Sequence, residues 1–295
     1  MGLTFDFSFA ELSVEFLKTG NVDFLHKLSR LDATDHILNH ATQFRYDVPT
    51  DSKLALVTHL LTPIDEQKRD LPLLIRNLKF AKSQIASSDI VEQIVMQYLP
   101  VGFSFSGSLY FTIGYDIGVA YGKNCSLNLA HPIFLERMDE IKYYAIHELH
   151  HVGFVALKGG YMPSLDITTR KEMTHVIEYL THLEGMGTFA ALGIREDENA
   201  INTDGDYIAL LNLEHRSTLE QEYFDIYNYY KNSPDEAIIE EDWQRIDILS
   251  DKKRLWYIVG AHMARTIDQN LGRKRLVELI SMPSEDFITT YSSLR

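Results

Sequence analysis

The sequence predicts an α+β protein, mainly helical, in which a small antiparallel sheet lies beside one long helix, with helical parts on its N- and C-terminal sides. Apolar residues recur at helical spacing in segments 9–18, 22–31 and 71–85, and again after residue 139. Between these helical parts, glycines separate runs of β-forming residues at 109–113, 117–121 and 125–129. The strands are therefore expected in this middle stretch, with a tight turn at Gly122-Lys123-Asn124.

Near residue 100 the sequence pattern changes from helical spacing to runs of β-forming residues, which suggests two regions. Residues 1–100 form a helical N-terminal region, and residues 101–295 hold the sheet, the long helix and the C-terminal helices. No linker composition marks the boundary, so one continuous domain is the alternative. With 295 residues, 45% of them hydrophobic, the chain has enough apolar material for either arrangement.

Charge and composition narrow the classes of partner. The formal net charge of -14 disfavours binding to nucleic acid or to an anionic membrane, because the field of the protein repels phosphate. No apolar run approaches the roughly 18 residues that a membrane helix needs. The first residues lack the basic and apolar stretches of a secretory signal, and Cys125 is the single cysteine. We expect a soluble, cytoplasmic protein, and the sequence leaves its oligomeric state open.

The run His147-Glu148-Leu149-His150-His151 falls in a segment, 139–157, whose apolar pattern predicts a helix. Histidines four residues apart lie one turn above the other, so His147 and His151 can bind one metal ion. Glu148 is displaced by about a third of a turn, within reach of a water on that metal. The pattern is H-E-x-x-H, with His150 as a bystander. Such a pentapeptide is short, and a solvated helix face is the alternative interpretation.

A third ligand is available from Glu184, in a second helix predicted from residue 169 to beyond 191. Glu184 falls on an otherwise mostly apolar stripe, and a carboxylate in such surroundings needs a partner. Two histidines, one glutamate and a water form a known type of catalytic zinc site. Glu178, on the opposite face with His175 and His182, is the weaker candidate. The stripe comprises Met173, Ile177, Leu180, Glu184 and Thr188.

With these residues the sequence resembles the gluzincin type of zinc metallopeptidase, in which a second helix supplies a glutamate after H-E-x-x-H. Glu184-Gly185-Met186-Gly187 is similar to the Glu-Gly-x-Ala element of many such families, although Gly187 departs from the alanine. The segment from Tyr257 to Phe287 resembles the C-terminal helices of poorly characterised zinc-dependent peptidases. The resemblance covers roughly residues 105–291, and we match no part of it to the N-terminal helices.

The resemblance implies a zincin-like fold, a Zn²⁺ cofactor and a peptide or protein substrate. It also implies a strand edge before the metal helix that aligns an extended substrate through backbone hydrogen bonds. The strand at 125–129 is the candidate for this edge, with Leu127, Asn128 and Leu129 as substrate-binding residues.

The hypothesis for the reaction is hydrolysis of a peptide bond with Glu148 as general base. Glu148 would take a proton from zinc-activated water and pass it to the leaving amine. Tyr257 or His262 could stabilise the oxyanion, and each could equally be part of the scaffold.

Three alternatives stay open at this point. Glu148-Leu149-His150-His151 and Glu172-Met173-Thr174-His175 are both E-x-x-H, the pairing used by di-iron carboxylate proteins. Against this, the short separation and the glycine-rich strands do not suit a four-helix bundle, and Thr169 with Glu172 makes a capping box. A noncatalytic metal-binding or regulatory protein on the same fold is the second alternative, and a hydrolase of a non-peptide amide is the third.

Overall fold

The computed structural model describes residues 2–295, which form a mainly helical protein with a single four-stranded sheet. This confirms the predicted α+β class. The strands are β1 (Gly2–Asp6), β2 (Ser106–Thr112), β3 (Gly118–Tyr121) and β4 (Asn124–Asn128). The helices are α1 (Ser8–Thr19), α2 (Asp23–Leu28), α3 (Asp32–Phe44), α4 (Lys53–Leu60), α5 (Ile64–Phe80), α6 (Ile90–Gln97), α7 (Pro132–Glu136), α8 (Glu140–Leu157), α9 (Arg170–Asp197), α10 (Gly205–Leu211), α11 (Leu213–Lys231), α12 (Glu240–Asp247), α13 (Leu255–Leu271), α14 (Arg273–Glu278) and α15 (Ser284–Ser292). Every helix in this range is too short or too polar to serve as a membrane span.

The chain divides into two compact units. The first combines Met1–Val95 with Ser104–Gly153 and contains the whole sheet. The second combines Met96–Phe103 with Phe154–Arg295 and is built of helices. The predicted division into a helical N-terminal region, residues 1–100, and a zincin-like region, residues 101–295, stays a prediction.

The sheet is mixed, with strand order β1-β2-β4-β3, so the prediction of an antiparallel sheet is wrong in this respect. β2 runs parallel to β1 and to β4, and the antiparallel pair is β3 with β4. The chain leaves β2, forms β3 at the outer edge, turns at Gly122-Lys123 and returns as β4 between β2 and β3. The predicted tight turn is therefore present, and β1 is a strand that the helical pattern of the N-terminal region did not predict.

β4 is an interior strand. Cys125, Ser126, Leu127 and Asn128 are all buried, which is typical of a strand covered on both faces and paired along both edges. The free edges of the sheet therefore belong to β1 and β3.

The loop between β2 and β3 is held by side-chain hydrogen bonds. The Asn128 Nδ2 donates to the Tyr115 carbonyl at 2.7 Å, and the Asn128 Oδ1 accepts from the Gly114 N–H at 2.9 Å. The Tyr115 hydroxyl lies 2.9 Å from His40 Nδ1 on α3. These contacts fix the point at which the edge strand β3 begins.

Helix α3 places two histidines in the core of the first unit. His36 and His40 are 4% and 7% exposed, and α3 packs against β3 and β4. The His36 ring lies 5.6 Å from the Tyr110 ring. Burial is the main cause that lowers the pKa of each histidine from 6.5 to about 4, so both rings are neutral at pH 7.

Candidate metal centre

The H-E-x-x-H sequence lies in the middle of α8, as predicted. His147 is partly exposed, whereas Glu148 and His151 are buried, at 6% and 5% exposure. The rings of His147 and His151 are 4.3 Å apart between centroids, because residues four apart lie on one face of a helix. His150 is fully buried and is not part of the ligand group described below.

Glu184 lies at the centre of α9, a helix that begins with the predicted capping box. The Thr169 hydroxyl accepts from the Glu172 N–H, and the Glu172 carboxylate accepts from the Thr169 N–H. Glu184 is partly buried, although most of the positions around it on α9 are buried. Partial exposure suits a ligand in a site that substrate must reach.

His147, His151 and Glu184 form a group that can hold a metal ion. Each offers one ligand atom, and these atoms lie within 4.8 Å of one another. Zinc would bond to histidine nitrogen and carboxylate oxygen at about 2.0–2.2 Å, a length compatible with three ligand atoms this close together. Two imidazoles and one carboxylate are also the donor set that leaves a fourth position open. The residues therefore fit a catalytic zinc ion.

The two carboxylate oxygens of Glu148 face different neighbours. Oε2 lies 3.7 Å from the His151 Nδ1, on the side of the ligand group. Oε1 faces Gly118 in β3, so close that a Cβ atom built on Gly118 would be 2.9 Å from it. Glu148 thus lies between the ligand group and the edge strand of the sheet.

Cys125, in β4, is fully buried. Burial, together with the negative charge of Glu148, raises the pKa of the Cys125 thiol well above its ordinary value. The thiol is therefore protonated and inert at neutral pH, as expected for a small apolar core residue.

Helix α13 crosses α9 directly beside Glu184. A Cβ atom on Gly260 would lie 2.5 Å from the Thr181 carbonyl oxygen and 2.7 Å from the Gly185 Cα. Both neighbours are backbone atoms, so the two helices could not stay this close if either glycine carried a side chain. This crossing gives a structural reason for the glycine after Glu184.

We expect Gly260→Ala to lower the free energy of unfolding by about 1–3 kcal/mol, the typical cost of overpacking. The added methyl group must push α13 away from α9. Urea unfolding measures the loss. Gly193→Ala is the matched control, since a Cβ there makes an ordinary 3.6 Å contact with the Tyr98 hydroxyl. Alanine also favours helix over glycine by about 1 kcal/mol. Equal stability of the two variants would contradict the close crossing.

Tyr257 and His262, the two predicted oxyanion donors, both lie on α13. The Tyr257 ring packs on the Arg254 guanidinium, with 3.7 Å from its central carbon to the ring centroid. His262 is partly buried, lies 5.7 Å from the Tyr291 ring, and has a pKa lowered to about 4, mainly by burial. A role in catalysis stays a prediction for each residue.

The prediction that Leu127, Asn128 and Leu129 provide a free strand edge for substrate is wrong. Leu127 and Asn128 belong to β4, which pairs with β2 on one side and β3 on the other. Leu129 follows the strand and is fully buried, and its N–H donates to the Thr112 carbonyl. The backbone of these residues is therefore already used within the sheet.

The second E-x-x-H sequence serves a structural purpose at its first residue. Hydrogen bonds from Thr168 and Thr169 hold the pKa of Glu172 at about 2, because the carboxylate caps the start of α9. Glu178, the weaker ligand candidate, is buried and accepts a 2.7 Å hydrogen bond from the Tyr227 hydroxyl. Neither glutamate belongs to the ligand group, which weakens the di-iron alternative.

Gly118 is a residue next to the site that the sequence pattern did not single out. A glycine inside a strand often marks a place where another group comes close. That signal was present here, but several other glycines in the same stretch carried it too, and only the structure shows which one faces Glu148.

The chain is similar to a described family of proteins over most of its length. The family model described as "Putative zinc dependent peptidase (DUF5700)" matches residues 20–294, a range that includes the three ligand candidates and Glu148. No curated protein and no solved structure matches the chain. Since the family model covers nearly the whole sequence, the chain belongs to the DUF5700 family of putative zinc dependent peptidases.

Proposed function

We propose that the protein is a zinc metallopeptidase of the gluzincin type, with His147, His151 and Glu184 as metal ligands and Glu148 as general base. The observation that carries the proposal is the convergence of two imidazoles and one carboxylate within 4.8 Å, directly beside a buried glutamate. The family description, a zinc-dependent peptidase, supports it.

Zinc, when bound, supplies a Lewis acid that polarises the substrate carbonyl and makes water acidic enough to be deprotonated near neutral pH. Glu148 takes the proton from the attacking water on its carboxylate and then donates that proton to the nitrogen of the leaving amine. Its position between the ligand group and β3 suits both transfers, since one oxygen faces each side.

The extended substrate lies along β3 in this proposal, rather than along β4. Ile117 O accepts from Asn128 N at 3.1 Å, so the backbone groups of Ile117 point towards β4. In an antiparallel ladder this direction alternates, which turns the N–H and C=O of Gly118 and Ala120 towards the free edge. A peptide that pairs with this edge would pass the Glu148 carboxylate at Gly118. Backbone pairing of this kind makes little demand on the substrate sequence.

Tyr257 and His262 remain the candidates for stabilising the oxyanion through a hydrogen bond. His262 would donate as a neutral imidazole, because its lowered pKa keeps it uncharged near pH 7.

The test is to measure bound zinc and hydrolysis of fluorescein-labelled casein by wild type and Glu148→Gln. We expect the variant to retain zinc and lose activity by roughly 100-fold or more, the typical contribution of a general base. Glu66→Gln, at an exposed position on α5, is the control and should behave as wild type.

Full activity of Glu148→Gln would contradict the role of Glu148. Wild type that binds no zinc, or that holds zinc without cleaving casein or other unfolded proteins, would contradict the peptidase proposal. Iron in place of zinc in the purified protein would favour the di-iron alternative.

A further inference from the structure

We propose that Gly118 is a positioning residue for catalysis: the absence of a side chain there reserves the space that the Glu148 carboxylate occupies. This inference rests on the proposed function of Glu148 as general base. It assigns a catalytic requirement to a residue of the edge strand that has no reactive group of its own.

The contact between the strand and the glutamate is tight. A Cβ atom on Gly118 would lie 2.9 Å from Glu148 Oε1 and 3.0 Å from Glu148 Cγ. Real Cβ atoms need more than 3.4 Å for an ordinary contact with such neighbours. A methyl group at this position must therefore displace either the glutamate or the strand.

The strand cannot retreat easily. Its first residues follow a loop that Asn128 holds with two hydrogen bonds and that the Tyr115 hydroxyl ties to His40. Along its inner edge, β3 pairs with β4 from Gly118 to Tyr121. Displacing the strand would break several of these bonds together, whereas the glutamate can move by rotating side-chain torsions.

The glutamate would therefore yield to the methyl group. Its Oε1 faces Gly118, so that the carboxylate would turn away from the edge along which substrate is proposed to lie. A base misplaced by about 1 Å can lower the rate by as much as 100-fold without weakening substrate binding. Gly118→Ala is accordingly expected to lower kcat by roughly 10- to 100-fold, to leave KM within about 2-fold, and to retain zinc.

A clash with Leu127 is a competing explanation for a loss of activity, because the Cβ added at Gly118 would also lie 2.9 Å from the Leu127 Cδ2. A clash with a core leucine would lower stability without a specific effect on the base. Leu127→Val removes both Cδ atoms and so separates the two contacts.

The experiment measures kcat and KM for fluorescein-labelled casein, bound zinc and the thermal midpoint Tm for Gly118→Ala, alone and combined with Leu127→Val. Gly2→Ala is the control, a strand glycine at the opposite edge where an added Cβ makes an ordinary 3.5 Å contact with the Ser106 Cβ. Crystal structures of wild type and Gly118→Ala read the position of the Glu148 carboxylate independently of activity.

The expected result is a loss of kcat that persists in the Leu127→Val background, with zinc retained, Gly2→Ala unchanged and the carboxylate displaced by roughly 1 Å. Recovery of kcat in the Leu127→Val background, or an unmoved carboxylate in Gly118→Ala, would overturn the inference. If wild type cleaves no casein, the proposed function fails, and the two crystal structures still decide whether Gly118 sets the carboxylate position.

Discussion

Glu184→Gln should lower the affinity for zinc by more than about 100-fold, a larger loss than the 10- to 100-fold typical of groups that only support the ligands. Glutamine has nearly the same size as glutamate but lacks the negative charge that a doubly charged cation binds. His147 and His151 alone would leave the ion with two neutral protein ligands. Zinc affinity is measured by competition with a chromogenic chelator, and bound metal by elemental analysis.

Glu178→Gln is the control for this experiment. Glu178 lies on the same helix as Glu184, and its carboxylate accepts a hydrogen bond from Tyr227 instead of belonging to the ligand group. We expect this variant to be less stable but to bind zinc as tightly as wild type. If Glu184→Gln kept wild-type affinity, or if both variants lost zinc equally, Glu184 would not be a ligand.

We expect a second large effect when the pH is lowered: the protein should lose stability, because its folded state holds the buried histidines of α3 in their neutral form. His36 and His40 have pKa values near 4 in the folded protein, against 6.5 for an unburied histidine. Between these values the unfolded chain binds more protons than the folded one, so stability falls as the pH decreases from 6.5 to 4. One pKa unit is worth about 1.4 kcal/mol, which gives roughly 3 kcal/mol for each histidine.

That loss is a large share of the roughly 5–15 kcal/mol that stabilises most proteins. Glu178 has the opposite effect on stability. Burial raises the pKa of its carboxyl, so the folded state binds a proton more readily than the unfolded chain as the pH falls. Two histidines outweigh one glutamate in this balance, and His262, also with a pKa near 4, adds to the loss. The net expectation is marked destabilisation below pH 6.

Urea unfolding at pH 7.5, 6 and 5 measures this dependence. In His36→Phe the slope of stability against pH should be shallower, since phenylalanine fills a similar volume and cannot be protonated. His59→Phe, at an exposed position on α4, should keep the wild-type slope. A pH dependence identical in wild type and His36→Phe would contradict the buried, neutral state of His36.

The sequence predicted helices α8 and α9 well because the signals for both are local. The spacing of His147, Glu148 and His151 is set by one helical turn, and the Thr169–Glu172 capping box marks where α9 begins. Counting residues along the predicted helix placed Glu184 on one face of it, because the helical repeat determines which residues share a face.

The sheet was predicted less well because strand order is not a local property. The pattern located β2, β3 and β4 to within a few residues. Nothing in it shows whether β3 lies between β2 and β4, as in an antiparallel meander, or at the outer edge beside β4, as the structure has it. The wrong prediction that residues 127–129 lie at a free edge of the sheet follows from that single ambiguity. β1 escaped notice because five residues before a helix carry too little alternation to indicate a strand whose partner is distant in the chain.

The same strand has a consequence for how the protein is made. β1 pairs residue by residue with the start of β2, from Gly2 with Ser106 to Asp6 with Tyr110, so its partner is translated roughly a hundred residues later. At synthesis rates of about 5–20 residues per second, β1 waits for several seconds without a partner strand. Long-range parallel pairing of this kind is also slow to form. The H-E-x-x-H helix leaves the ribosome soon after β4, so the sheet can close just before the helix that contacts it is complete.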